Sequence, residues 1–280
     1  MMVAVVHTRS SPCRCHEAVL AALTAAGIES RDIDSDSLPA GLDAVRGCSF
    51  AFDQTDTGDR HAVREALASA GLEIIGTPPP EARLLDEKLL AREWLVRHGI
   101  PVAPAGPHLG WPRVVKASGT HGSRGVRLVR SAEEESRARL ELGPSEAVEE
   151  YVPGREVAVA VLGRRRAHAL PPVEIRIPGP IYTSEDKWGL ENPPVIRSDV
   201  SPDLAKRLET AYLRLGLRDF ARFDLRVRPD GSWAILEVNV RPSLEPEGLL
   251  CIAASFEGWS PSEVVLGLLA GAGGPGRCPW

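Results

Sequence analysis

Two carboxylates and an amide spaced along one short segment, FDLRVRPDGSWAILEVN from Phe223 to Asn239, are the residues of this chain best suited to chemistry. Pro229-Asp230-Gly231-Ser232 is a turn signal between alternating apolar runs, so the segment reads as a β-hairpin. A two-residue loop at Asp230-Gly231 and a four-residue loop from Pro229 to Ser232 give the same register, with Asp224 opposite Glu237 and Arg222 opposite Asn239. Phe223, Leu225 and Val227 then share the buried face with Ala234, Leu236 and Val238. Asp224, Glu237 and Asn239 lie together on the other face. A three-residue loop would break this register.

Directly opposed side chains have Cβ atoms about 5 Å apart, where like charges destabilise a sheet. A hard divalent cation relieves that repulsion: Mg²⁺ takes oxygen from one or two carboxylates and completes its shell with water and substrate phosphates. The alternative is a solvated strand face on which Arg222 and Arg226 neutralise the two acids.

Cationic groups that could face such a site lie upstream. EARLLDEKLLAREWLVRHG, from Glu81, reads as one helix stopped by Gly99 and Ile100-Pro101. Leu84, Leu85, Leu89 and Leu95 form its apolar stripe and leave Lys88 and Arg92 on adjacent turns, where a solvated face is the ordinary reading. The strand-like run Trp111 to Lys116 leads into Ala117-Ser118-Gly119-Thr120-His121-Gly122-Ser123-Arg124-Gly125-Val126, whose small residues let backbone N–H groups approach anionic oxygens. It is neither a Walker loop nor a dinucleotide fingerprint. Glu149 and Glu156 bracket a turn at Pro153-Gly154 between two strands, the second running VAVAVLG.

Length and composition bound the rest. At 280 residues and 43% hydrophobic content the chain can bury a substantial core in two or three small domains. A net charge of −5 argues against a nucleic-acid partner, and Arg164-Arg165-Arg166, the one tight basic run, reads as a solvated turn. No apolar run approaches the ~20 residues that span a bilayer. The apolar part of MMVAVVHTRSSP is too short for a secretory signal, so a cytoplasmic location is expected. Five cysteines do not suggest a disulfide framework. Cys13-Arg14-Cys15-His16 invites a metal reading, but zinc sites usually use wider pairs and a second pair elsewhere, which this sequence lacks. Cys48, Cys251 and Cys278 are scattered singly and read as packing or surface thiols.

The first 80 residues alternate between strand and helix. VAVVH is followed by a helix from about Glu17 to Ala26, a strand near Glu29 to Ile33, the strand CSFAFDQ, the helix HAVREALASAG and the strand EIIGT, closed by Pro78-Pro79-Pro80. That is the alternation of an open parallel α/β sheet. Asp53 and Thr77 stand at strand ends and could face a ligand there; helix or turn capping is their ordinary role.

Taken in order, a helix lysine, a strand lysine, a small-residue loop, a carboxylate pair around a turn, Lys187 and the hairpin acids resemble the ATP-grasp superfamily, and within it the D-alanine–D-alanine ligases. The similarity is strongest from about Glu81 to Pro242. It implies an α/β chain, α+β in its ATP-binding part: an N-terminal open parallel α/β domain (residues 1–80), a small central α+β domain (81–151) and a C-terminal antiparallel-sheet domain (152–280), with ATP between the last two. The resemblance places Lys88 and Lys116 on the ATP phosphates, Glu149 at the adenine amino group, the backbone of Tyr151 and Val152 beside it, and Glu156 on the ribose. Tyr182-Thr183-Ser184-Glu185-Asp186-Lys187-Trp188 is similar to the family's loop whose lysine reaches the γ-phosphate, here Lys187. ARFDL and LEVNVRP imply Arg222 for transition-state charge and Asp224, Glu237 and Asn239 for two Mg²⁺ ions, or Mn²⁺ in their place. Ser123, Lys187 and Arg222 are the implied catalytic residues, and Trp188, Ser243, Gly248 and Leu249 the implied substrate contacts.

Such ligases activate a carboxylate as an acyl phosphate, which an amine then displaces. Phosphoryl transfer needs positioning and charge neutralisation rather than a nucleophilic side chain. Departures from the family pattern bear on the substrate. In place of the Gly-Gly-x-Ser-x-Glu loop stands His7-Thr8-Arg9-Ser10-Ser11-Pro12, Trp188 replaces a tyrosine, and Val240-Arg241-Pro242-Ser243-Leu244-Glu245-Pro246-Glu247-Gly248 replaces a segment ending in a serine. The expectation is a ligase joining a small-molecule carboxylate and amine other than D-alanine. Arg9 or Arg124 could hold the donor's carboxylate and Glu245 or Glu247 the acceptor's amine. An intramolecular cyclo-ligase and a non-catalytic ATP-binding protein are the alternatives. A homodimer is implied by the resemblance only.

Overall fold

The computed structural model describes the chain except residues 41, 57–59, 107, 118–124, 144, 185 and 187–193. Three sheets organise it. The first contains β1 (Met2–His7), β2 (Ser30–Asp34), β3 (Cys48–Gln54) and β4 (Glu73–Ile75), all parallel in the order β2-β1-β3-β4, with α1 (Cys15–Ala25) and α2 (Arg60–Ser69) in the crossovers. Val3 to Val6 are fully buried because helices cover both faces of a parallel sheet, which is why VAVV carries no polar alternation.

The predicted single helix after Pro78 is two. α3 (Pro79–Asp86) starts on the prolines, whose fixed φ suits a first turn, and α4 (Lys88–Arg97) follows after Glu87 adopts an extended conformation (φ −93°, ψ 109°). The break re-aims the apolar stripe: Leu85 and Leu95 are buried, whereas Leu89 is half exposed. It also makes Lys88 the first residue of α4.

A small antiparallel sheet follows, in the order β6-β5-β7, from β5 (Arg113–Ala117), β6 (Val126–Val129) and β7 (Ser145–Glu150), with α5 (Ala132–Leu142) packed on it and capped by Ser131. The third sheet holds β8 (Arg155–Gly163), β9 (His168–Ala169), β10 (Val173–Ile175), β11 (Val195–Arg197), β12 (Asp219–Val227) and β13 (Trp233–Asn239), ordered β11-β10-β8-β12-β13 with β9 on β8. Its central strands are buried on both sides. Ala158, Ala160, Leu162 and Phe220 join the core shared with β1, α1, α7 (Leu249–Ser255) and α8 (Pro261–Gly271), while Val157, Val159, Val161 and Phe223 join a second core under α3, α4 and α6 (Pro202–Arg214). No described helix is long and apolar enough to cross a membrane.

Between β7 and β8 the chain turns at Gly154 (φ +132°), where a Cβ would stand 2.1 Å from the Val227 carbonyl oxygen, so only glycine lets the turn approach β12 this closely. Arg164 is not the solvated residue expected of the basic run. It forms a two-point ion pair with Asp219 (2.8 and 2.7 Å) and a third contact with Glu73 (2.6 Å), while Asp219 also accepts the Gly76 N–H. That cluster ties the end of β4 to the large sheet.

Candidate functional site

The β12–β13 hairpin reaches the expected pairing by an unexpected route. Arg228 N–H donates to the Ser232 carbonyl (2.7 Å) and Gly231 N–H to the Arg228 carbonyl (2.9 Å), which closes a three-residue loop with Gly231 at φ +83°. Near the turn Val227 therefore faces Trp233 and Leu225 faces Ile235. A bulge at Leu236 then shifts the register back, so that Asp224 faces Glu237 and Arg222 faces Asn239. Two offsets of one residue cancel. The buried set changes accordingly: Ile235 and Val238 pack under Leu225 and Phe223, Ala234 enters a separate small cluster with Ala103 and Val152, and Leu236, expected in the core, lines a cleft instead.

That cleft, about 1050 Å³ and open to solvent, lies between the small sheet and the large one and gathers residues far apart in sequence. Lys88 of α4, Lys116 and Glu149 of the small sheet, Tyr151 and Val152 of the connecting turn, and Glu156, Arg222, Asp224 and Glu237 of the large sheet line it, together with Leu249. The Lys88 ammonium donates to the Ala117 carbonyl (2.8 Å), at the entry to the small-residue loop. Lys116 pairs with Glu149 at 2.6 Å and donates to the Leu236 carbonyl (3.3 Å), so the bulge supplies an acceptor that a regular strand would have turned away. Neither lysine sits on the solvated face that is ordinary for such residues.

Arg226 does not neutralise the hairpin acids but braces the segment between β7 and β8. Its guanidinium, 4% exposed, pairs with Glu156 (3.0 Å), donates to the Val152 carbonyl (3.1 Å) and the Tyr151 hydroxyl (3.3 Å), and also bonds the Pro180 carbonyl. The Tyr151 N–H is taken by the Pro112 carbonyl. Among the described residues the Tyr151 carbonyl and the Val152 N–H have no protein partner.

On the acidic face Arg222 grips Asp224 with two parallel bonds, Nε at 2.6 Å and the second nitrogen at 2.8 Å. Burial opposes the Arg222 charge, but the Asp224 carboxylate more than offsets it and raises the Arg222 pKa above its ordinary value. Arg222 thus neutralises one acid of the opposed pair. Glu237 has no cationic partner among the described residues, and Asn239 Oδ1 accepts from the Arg241 N–H (2.9 Å). The donor set suits a hard cation: three oxygen-bearing side chains lie on neighbouring positions, and an ionised carboxylate keeps lone pairs beyond the two that an arginine fork occupies.

Comparison with known proteins decides the family. The family model for the "D-ala D-ala ligase C-terminus" matches residues 94–270. A D-alanine--D-alanine ligase of Synechococcus sp. (strain JA-2-3B'a(2-13)) is 32% identical over 256 residues, covering 81% of this chain and 76% of that protein. Another, of Desulforudis audaxviator, is 32% identical over 278 residues, covering 90% of each. The chain belongs to the D-alanine–D-alanine ligase family. Its fold agrees: a crystal structure of D-alanine--D-alanine ligase from Bacillus anthracis complexed with ATP superposes with a TM-score of 0.78 over 97% of both chains at 19% identity. The fold class is therefore ATP-grasp and the enzyme class that of an ATP-grasp ligase.

Not every residue expected at the site of a D-alanine–D-alanine ligase relative lies on the cleft. Ser123, Arg124, Lys187 and Trp188 fall outside the described residues. Asn239, Ser243 and Gly248 are not among the cleft's lining residues. Arg9 points to Asp34 (2.8 Å), Asp53 is buried against Arg64 (2.7 Å) and Arg241 (3.4 Å), and the Thr77 carbonyl accepts from Arg64. Ile181 and Val114 line the cleft and carried no sequence signal of that role, while Tyr182 and Val126, which also line it, stand at the ends of the two loops quoted above. Arg226 did carry one, since 222, 224 and 226 share a strand face, but its partner Glu156 is visible only once β8 lies beside β12.

Proposed function

We propose that this chain is an ATP-dependent carboxylate–amine ligase whose substrates are small amino-acid-like molecules other than D-alanine. The observation that carries the ATP reading is the cleft itself, which brings Lys88, Lys116, Glu149, Arg222, Asp224 and Glu237 to one surface between two sheets. In this reading Lys88 and Lys116 hold phosphates, Glu149 with the Tyr151 carbonyl and Val152 N–H reads the adenine edge, and Glu156 takes the ribose. Asp224, Glu237 and Asn239 would hold Mg²⁺, which when bound neutralises charge on the transferring phosphoryl oxygens. Arg222 supplies fixed positive charge beside the transferring group, and Lys187, by the family resemblance, adds a further cation at the γ-phosphate. The protein performs no covalent step: it aligns a carboxylate oxygen on phosphorus and then an amine on the acyl carbon. Residues 1–80, 81–151 and 152–280 are the three domains of this reading.

Gly248 supports a substrate other than D-alanine. A Cβ there would lie 2.9 Å from the Ser243 carbonyl oxygen, 3.0 Å from the Glu245 carbonyl oxygen and 3.0 Å from the Ser243 hydroxyl, so the hydroxyl-bearing residue of the family pattern would require segment 243–245 to shift. The missing glutamate of the first loop points the same way.

The test is ADP and phosphate release with Mg²⁺ over a panel of amino acids and related acids, with products followed by mass. Release that depends on one carboxylate and one amine is expected. Release that never depends on an added carboxylate rejects the ligase reading, and strict D-alanine dependence rejects the substrate reading. Within the same assay Glu149→Ala is expected to raise the KM for ATP about 10- to 100-fold, the effect of losing a hydrogen bond to a charged group, with kcat changed far less.

A further inference from the structure

One cluster of chemistry-bearing side chains plays no part in the cleft. Cys13 and Cys15 lie at the start of α1, Cys15 being its first residue, and their sulfurs are 2.7 Å apart. The structure brings them a third group from 230 residues away: Cys15 Sγ stands 3.9 Å from Glu245 Oε1 and 3.3 Å from the Ser243 hydroxyl. The two sulfurs and a Glu245 oxygen all lie within 4.8 Å of one another. Cys15 is buried, and Cys13 and Glu245 are half-buried. Glu245 accepts the Arg14 backbone N–H, and among the described residues no lysine or arginine side chain pairs with it. Arg14 turns its own side chain toward Glu17 instead.

We infer that Cys13, Cys15 and Glu245 form a binding site for a thiophilic divalent cation, Zn²⁺ above all, that clamps the segment 243–248 to the N-terminal sheet. Two thiolates and one carboxylate are a zinc donor set, and three protein ligands leave one tetrahedral position for water. Sulfur ligands select against Mg²⁺, so this site and the hard-oxygen face of the hairpin do not compete for one metal. Sulfurs bound at about 2.3 Å stand about 3.8 Å apart, so binding spreads them by about 1 Å, within reach of small side-chain rotations. The helix N-terminus favours anionic sulfur at Cys15. Binding releases the thiol protons to solvent and transfers no electrons. The short Cys-x-Cys spacing, unpromising without a second cysteine pair, becomes a three-ligand set because Glu245 closes it. The inference stands independently of the substrate reading, although segment 243–248 borders both.

The test uses the full chain, kept reduced, stripped with a chelator and titrated with Co²⁺ and then Zn²⁺. One Co²⁺ per chain is expected, with thiolate-to-cobalt charge-transfer absorption that one equivalent of Zn²⁺ abolishes and excess Mg²⁺ leaves unchanged. Glu245→Gln keeps the Arg14 N–H acceptor and is expected to retain the charge-transfer band while weakening Zn²⁺ binding at least about tenfold. Cys13→Ser, at a half-buried position, is expected to weaken it more and to diminish the band, with circular dichroism confirming the fold. No charge-transfer band at saturating Co²⁺, or Zn²⁺ affinity equal in wild type and both variants, overturns the inference. So does a Cys13–Cys15 disulfide that persists in reductant and leaves no thiol for the metal.

Discussion

Replacing Arg222 with lysine is expected to lower kcat about 10³-fold while changing the KM for ATP far less. The guanidinium is 8% exposed, lies on the cleft and holds Asp224 through two parallel bonds. Lysine keeps the charge but loses the planar fork, so it can neither brace Asp224 at two points nor present a second N–H to the transferring group. Arginines that stabilise phosphoryl-transfer transition states are worth about 10³–10⁵ in rate, and the lower end suits a replacement that retains the charge. Steady-state ADP release at saturating ATP and substrate measures the effect. A kcat within threefold of wild type would leave Arg222 as a structural partner of Asp224 and remove it from the chemistry.

Asp53→Asn is expected to destabilise the fold by about 3–5 kcal/mol, the cost of leaving a buried charge without its partner. Asp53 is 1% exposed and joins Arg64 of α2 (2.7 Å) to Arg241 (3.4 Å), two residues beyond Asn239. Arg241 in turn pairs with Asp86 (2.7 Å) at the end of α3, and Arg60 adds a further contact to Asp86 (3.1 Å). This ion network fastens the N-terminal sheet to the hairpin. Burial alone pushes the Asp53 carboxyl pKa up, but the Arg64 and Arg241 charges and the Thr55 N–H outweigh it and hold the carboxyl below its usual range. A carboxyl depressed in the folded state stabilises it fully above the unfolded pKa, about 3.9, and loses that contribution as pH falls through the folded value. The wild type should therefore lose this stability below about pH 4, whereas Asp53→Asn should lack it at neutral pH and show a flatter acid limb. Melting followed by circular dichroism between pH 3 and 7 reads both, with a drop on the order of 10 °C expected at pH 7. A variant as stable as wild type at pH 7 would show that the network contributes nothing net.

Much of this protein was legible in its sequence because the signals are local. The alternation from Phe223 to Val227, the turn signal at Pro229 to Ser232 and the β/α alternation of the first 80 residues depend on neighbours a few positions away, and so the strands, the hairpin and the Asp224–Glu237 and Arg222–Asn239 pairs could be read directly. The family pattern added Lys88, Lys116, Glu149 and Glu156, all of which reach the cleft. Other features could not be read this way. The hairpin's loop is odd-numbered and its bulge restores parity, so two wrong steps gave the right pairs while Leu236 went to the wrong face. The helix break at Glu87 left no strong breaker in the sequence, since neither glycine nor proline stands there.

The sequence by itself determined the class of this chain, because repeat period, turn residues and the order of charged groups are properties of the string. Only the tertiary structure decided which charges meet. Arg226 joins Glu156 because β12 lies beside β8, Arg164 joins Asp219 and Glu73 across two sheets, and Glu245 meets Cys13 and Cys15 because the segment after Asn239 returns to the start of α1. Such juxtapositions follow from crossovers and from burying both faces of a sheet, and these bring together residues whose separation along the chain says nothing of their distance in space.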